Sequence, residues 1–198
     1  MIDHEIMRRI SNSKYVLRLN YLELERFHAT TSQPETSLKI MSNDDNVRLF
    51  YCNSLRLVMN YMSAWYALKS IFQAQMKEKH LSVTNDFREM YKEQVSKRFS
   101  KNDFALFFEA CRNVFIHEGI PFAKLKMDLG PQFLLTIMID ADELQKSKHF
   151  EQKGLNYVVG KQEVDFFDVC KRHYEEYIDF CNWFENNIQW NKCAPQVK

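Results

Sequence analysis

The chain has 198 residues and four glycines, and the first glycine is Gly119; the 118 residues before it contain a single proline, Pro34. Turns are made chiefly from Gly, Pro, Asn and Asp, and a sheet needs many of them. A stretch so poor in breakers, with long periodic segments, reads as helix. The periodicity predicts five helices, over about 14–32, 46–79, 84–98, 100–118 and 162–190, with a polar loop around Pro34 and 42–45. The second carries two apolar stripes, Tyr51, Leu55, Val58, Met62, Trp65 and Leu57, Tyr61, Ala64, Leu68, Ile71, so it is expected to be central and buried almost all round. The fourth is expected to be capped by Ser100, with Asp103 three residues on, and to end at Glu118 before Gly119 and Pro121.

All four glycines fall within 119–161, and the character changes there. Residues 132–139 and 155–159 have strand composition, and predict a two-stranded ribbon with the charged segment 140–153 at its tip. The expected fold class is all-α: a single domain, an up-and-down bundle of about five helices with a β-ribbon insertion at 131–160 and a tail at 191–198.

Hydrophobic residues make up 45% of the chain, which supplies ample core material and argues against disorder. Net charge is +1, so any nucleic-acid surface must be a local patch rather than a global field. The cysteines are 52, 111, 170, 181 and 193; the middle three sit among apolar residues and read as buried small hydrophobes in a reducing compartment. No CxxC pair is present, and no metal or cofactor is expected. The first residues do not resemble a secretory signal, and no uncharged apolar run is long enough to span a membrane. A soluble, cytoplasmic protein is the expectation.

Chemistry concentrates in the fourth helix. Phe104, Phe107, Phe108, Cys111, Val114 and Phe115 form one apolar arc that must face the core. Asn113 and His117 lie roughly opposite, in a second seam with Leu106 and Ala110 at four-three-four spacing, and Arg112 flanks them. His117 falls in the last turn, where the negative end of the helix dipole favours a cation. Cleaving RNA without metal needs a base for the 2′-OH, positive charge for the phosphorane-like transition state and an acid for the leaving oxygen. Histidine and arginine are the natural suppliers. One chain brings one histidine to this seam, and two chains packed across it would bring two.

The segment Arg112-Asn113-x-x-x-His117 resembles the signature of the HEPN superfamily (higher eukaryotes and prokaryotes nucleotide-binding domains). The resemblance covers the motif, and elsewhere only the helical layout. It implies a helical bundle that homodimerises with its motifs facing each other, and metal-independent endoribonuclease activity that leaves 2′,3′-cyclic phosphate on single-stranded RNA. Arg112 and His117 would be catalytic and Asn113 would position. Members occur as toxins and defence effectors, so an antitoxin or defence-system protein is an implied partner. Where some members carry a Tyr two residues after the His, this chain has Gly119.

Lys124 and Lys126, just after the motif, and Arg56, which with Asn60 interrupts the most apolar part of the second helix, are candidate RNA contacts. The plainer alternatives are a solvated loop for the lysines and a buried polar network for Arg56 and Asn60. Glu118 and His173 read as surface residues. The competing function is a non-catalytic module that binds nucleotide or RNA, or scaffolds a protein partner.

Overall fold

The computed structural model describes residues 2–77, 83–119, 123–128 and 134–188. Cys193, Pro121 and the tail after Trp190 lie outside them. Among the described residues are eight α-helices and three short strands, so the helical class holds but the five-helix, up-and-down layout does not.

Helix α1 spans Ile2–Thr31 and lies along α3, Asp44–Lys77. The two apolar stripes of α3 meet its neighbours through Leu57, Val58, Tyr61, Met62, Trp65, Leu68 and Phe72, all buried. Burial is not all round, because Asn60, Ser63, Tyr66, Ala67 and Ser70 form an exposed face. Between these helices the expected loop contains a further helix, α2, Pro34–Met41. Pro34 at its first turn starts it, since the missing N–H would be unsatisfied there in any case.

Helix α4, Asn85–Val95, is capped by Thr84 and runs into a π-helical turn, Ser96–Ser100. Helix α5, Asp103–Glu118, follows. Its cap is Asn102 rather than Ser100: Asn102 Oδ1 accepts from the backbone of Phe104 at 2.9 Å and of Ala105 at 3.2 Å. Gly119, at φ 75°, ends the helix in a conformation that only glycine adopts freely.

The β-ribbon takes a different form from the expected one. Strand β1, Ala123–Asp128, pairs antiparallel with β2, Leu134–Asp140, which pairs antiparallel with β3, Glu163–Asp165. Leu135, Ile137 and Ile139 alternate onto the buried face, beneath the last helix, α8, Phe166–Asn187. The segment expected to form the ribbon's tip is instead a helix, α6, Ala141–Lys146, a 3-10 turn at Gln152–Gly154 and a further short helix, α7, Leu155–Val158. Residues 155–158 are therefore helix and not strand; Tyr157 packs its ring against Phe104 and Phe107 of α5.

One apolar core runs through α1, α3, α4, α5, β2 and α8. Cys111, Cys170 and Cys181 are buried within it as free thiols, and burial pushes the pKa of each upward. No described helix is long and apolar enough to cross a membrane.

Candidate functional site

The Phe-rich arc anchors α5 to the core and fixes which side of the helix is left over. Arg112, Asn113 and His117 occupy that other side. Arg112 turns back toward Asn113, its Nη1 donating to Asn113 Oδ1 at 3.3 Å. Its guanidinium lies 3.6 Å from the centroid of the Tyr66 ring on α3. This cation–π contact holds the charge in place without neutralising it. Among the described residues no carboxylate pairs with Arg112, and its Nε is buried without a partner.

Residues 147–154 fold back over the same side of α5. The approach is closest at Gly154, where a Cβ would sit 2.9 Å from Ala110 Cβ and 3.3 Å from Phe107 Cα. Asn113 Nδ2 donates to Glu151 Oε1 at 2.8 Å, and Glu151 Oε2 pairs with Lys153 at 2.8 Å. Glu151 in turn pushes the Lys153 ammonium pKa upward. The ring of His149 stacks on that of His117, with centroids 4.5 Å apart and planes 22° from parallel. Ser147 Oγ donates to Glu118 Oε1 at 2.8 Å and accepts from the His149 backbone at 3.1 Å. Glu118 Oε1 lies 3.8 Å from His149 Nε2.

This arrangement corrects several expectations. The Leu106, Ala110, Asn113 and His117 seam is partly occupied by the chain itself, with Ala110 buried and His117 still exposed. The protein's own 147–154 segment covers Ala110 and engages Asn113 and His117, because a polar pair in a half-apolar seam needs a partner and this segment supplies one. Large apolar residues exposed near the motif in sequence or by contact are Tyr66 (40%) and Ile116 (45%), and His117 itself is exposed. Glu118 is partly buried and bonded rather than free in solvent. His173, read as surface, is buried on α8 and bonded through Nδ1 to the Tyr61 hydroxyl at 2.7 Å.

The candidate RNA contacts do not form a basic patch with the motif. Lys124 and Lys126 sit on β1, paired with Asp140 at 2.5 Å and Glu163 at 3.3 Å. Arg56 is exposed on α3 and pairs with Glu23 of α1 at 3.2 Å; its neighbour Asn60 is also exposed, so the two form no buried network. The residues that sequence reasoning missed are Tyr66, Ser147, His149 and Glu151.

The contact at Gly154 gives a direct test of the 147–154 clamp. Gly154→Ala is expected to destabilise the protein by about 1–3 kcal/mol through overpacking, although φ there is −81° and any residue could adopt it. Adding Ala110→Gly should recover part of the loss in urea unfolding, as touching residues couple. A Gly154→Ala protein of unchanged stability would mean that the segment does not press on α5.

No protein-family model, no curated protein and no solved structure matches the chain.

Proposed function

We propose that this protein is a metal-independent endoribonuclease of HEPN type, acting on single-stranded RNA. The observation that carries the proposal is the stacking of His117 of α5 on His149, with Arg112 five residues earlier on the same helix and without a carboxylate partner among the described residues. Two imidazoles and one guanidinium are the set that 2′-OH transphosphorylation requires.

In this mechanism neutral His117 takes the proton of the 2′-OH, whose oxygen attacks the adjacent phosphorus. Arg112 stabilises the charge that builds on the phosphorane oxygens. His149, whose Nε2 lies 3.8 Å from Glu118 Oε1, gives a proton to the departing 5′-oxygen. The products are a 2′,3′-cyclic phosphate and a 5′-hydroxyl. Asn113 holds the Arg112 side chain toward the helix face and ties it to Glu151.

The second imidazole comes from the same chain, so a second copy is not needed to complete the set. A homodimer around this site would meet through Tyr66 and Ile116, the apolar surface left open beside the motif. A role as a toxin or defence effector, with an antitoxin or defence-system partner, belongs to the same proposal.

The test is cleavage of a single-stranded RNA oligonucleotide by the purified protein in excess EDTA. Cleavage with 2′,3′-cyclic phosphate ends is the expected result; cleavage abolished by chelator would overturn the mechanism. Non-catalytic binding of RNA or nucleotide is the second proposal, favoured by the net charge of only +1, which suits a weak or regulated binder. Saturable calorimetric binding without turnover would select it.

A further inference from the structure

A second site lies on the other side of the 151–154 segment. Helices α3, α4, α5 and α8 and the π-helical turn enclose a pocket of about 230 Å³. Its wall is aromatic, with Trp65, Phe72, Tyr91, Phe99, Tyr177 and Phe180. Pockets that bind small molecules have this character: apolar lining with a few convergent polar groups. The charged groups are Lys69, Glu109 and Lys153, and Gln73, Ser100 and His173 are also in the lining. Lys69 is ion-paired with Glu109. Lys153 reaches out of the lining to Glu151, at 2.8 Å, so each lysine has one carboxylate partner and an incoming carboxylate would take Lys153 from Glu151.

Two further features set this space apart from a packing defect. Phe99 and Ser100 belong to the π-helical turn, a local widening of the helix that recurs at functional sites. The Trp65 indole N–H, in the wall, is buried with no acceptor among the described residues. Buried donors are ordinarily satisfied, and one left open beside a cavity is the exception that asks for an acceptor.

We infer that this pocket binds a small planar aromatic monocarboxylate, its ring held among Trp65, Phe99 and Tyr177 and its carboxylate by Lys69 and Lys153. The volume suits a molecule of one or two fused rings. The Trp65 N–H, unpartnered among the described residues, and the exposed Lys153 ammonium suit one carboxylate. This site does not depend on RNA cleavage, and its test uses no RNA.

The experiment is isothermal titration calorimetry of the full chain with indole-3-acetate, and with indole-3-acetamide as its neutral counterpart. Indole-3-acetate is expected to bind with a Kd below about 1 mM and the amide several-fold more weakly. Lys153→Met, at an exposed residue that carries no core packing, should weaken binding of the acid about fivefold, and Glu109→Gln should tighten it by a similar factor. Neither change should move the amide. Ala105→Leu, which projects into the pocket, should remove binding of both.

Absence of saturable binding by the acid up to its solubility limit would overturn the proposal. So would equal binding of acid and amide, or acid binding indifferent to both charge variants. Should Ala105→Leu fail to fold, the opposed signs at Lys153 and Glu109 carry the decision alone.

Discussion

His117→Ala is expected to lower the rate of RNA cleavage in EDTA by about a thousandfold, the usual scale for removing a general acid or base. The side chain is exposed and its only described ring contact is with His149, so the substitution should leave stability within about 0.5 kcal/mol of the parent. A loss of rate in a protein that unfolds at the same urea concentration is then a loss of chemistry. His149→Ala separates two ways of completing the site. If the second imidazole comes from the same chain, this variant falls as far as His117→Ala. If it comes from a twofold partner's copy of His117, the His149 variant keeps its activity. Full activity in the His117→Ala protein would remove the ribonuclease proposal altogether.

The second large effect is on stability and comes from His173. Its ring stacks on Phe108 at 3.6 Å, meets Trp65 edge-on at 4.9 Å and bonds to Tyr61. Burial holds its pKa well below the ordinary 6.5, and the Lys69 charge lowers it further. Above about pH 6.5 the imidazole is neutral in both folded and unfolded chains and costs nothing. Below it the unfolded chain takes up a proton that the folded chain refuses, so stability must fall as pH falls. The slope for one such group is about 1.4 kcal/mol per pH unit. That slope runs from about pH 6.5 down to the depressed folded-state pKa, against a net stability of only about 5–15 kcal/mol for a typical domain. His28, whose pKa burial also lowers, acts in the same direction. Urea unfolding at several pH values checks this. The double variant Tyr61→Phe with His173→Phe removes both bonding partners at once, which avoids an orphaned polar group. It should flatten the profile by about one proton's slope while His28 continues to act. Identical pH profiles in the two proteins would show that His173 is not held neutral.

These outcomes bear on what could be read from residues alone. The apolar arc of α5 was legible because six residues repeat at helical spacing, and every one of them is buried. Residues 155–158 were not, because a run of four gives too little length for period two and period 3.6 to differ. There the packing of Tyr157 on Phe104 and Phe107 decides for helix. His173 carried a usable signal: it stands three residues after Cys170 and four before Tyr177 on the buried face of α8, and its acidic neighbours in sequence point elsewhere. His149 carried none. It lies 32 residues beyond His117, counted from their numbers, in a charged segment without periodicity, and only the fold-back over α5 brings the two rings together. The seam on α5 was visible as a surface needing a cover, but a helix face does not say whether the cover comes from its own chain or from another.

Glu151 links the two regions, with one oxygen on Asn113 and the other on Lys153. An anion that draws Lys153 into the aromatic pocket leaves Glu151 free to hold Asn113 more firmly. A phosphate that pulls Asn113 and Arg112 outward returns Glu151 to Lys153 alone. If both proposed sites bind, occupancy on one side would be felt on the other, and thermodynamics requires the two effects to be equal in size, whichever molecule arrives first.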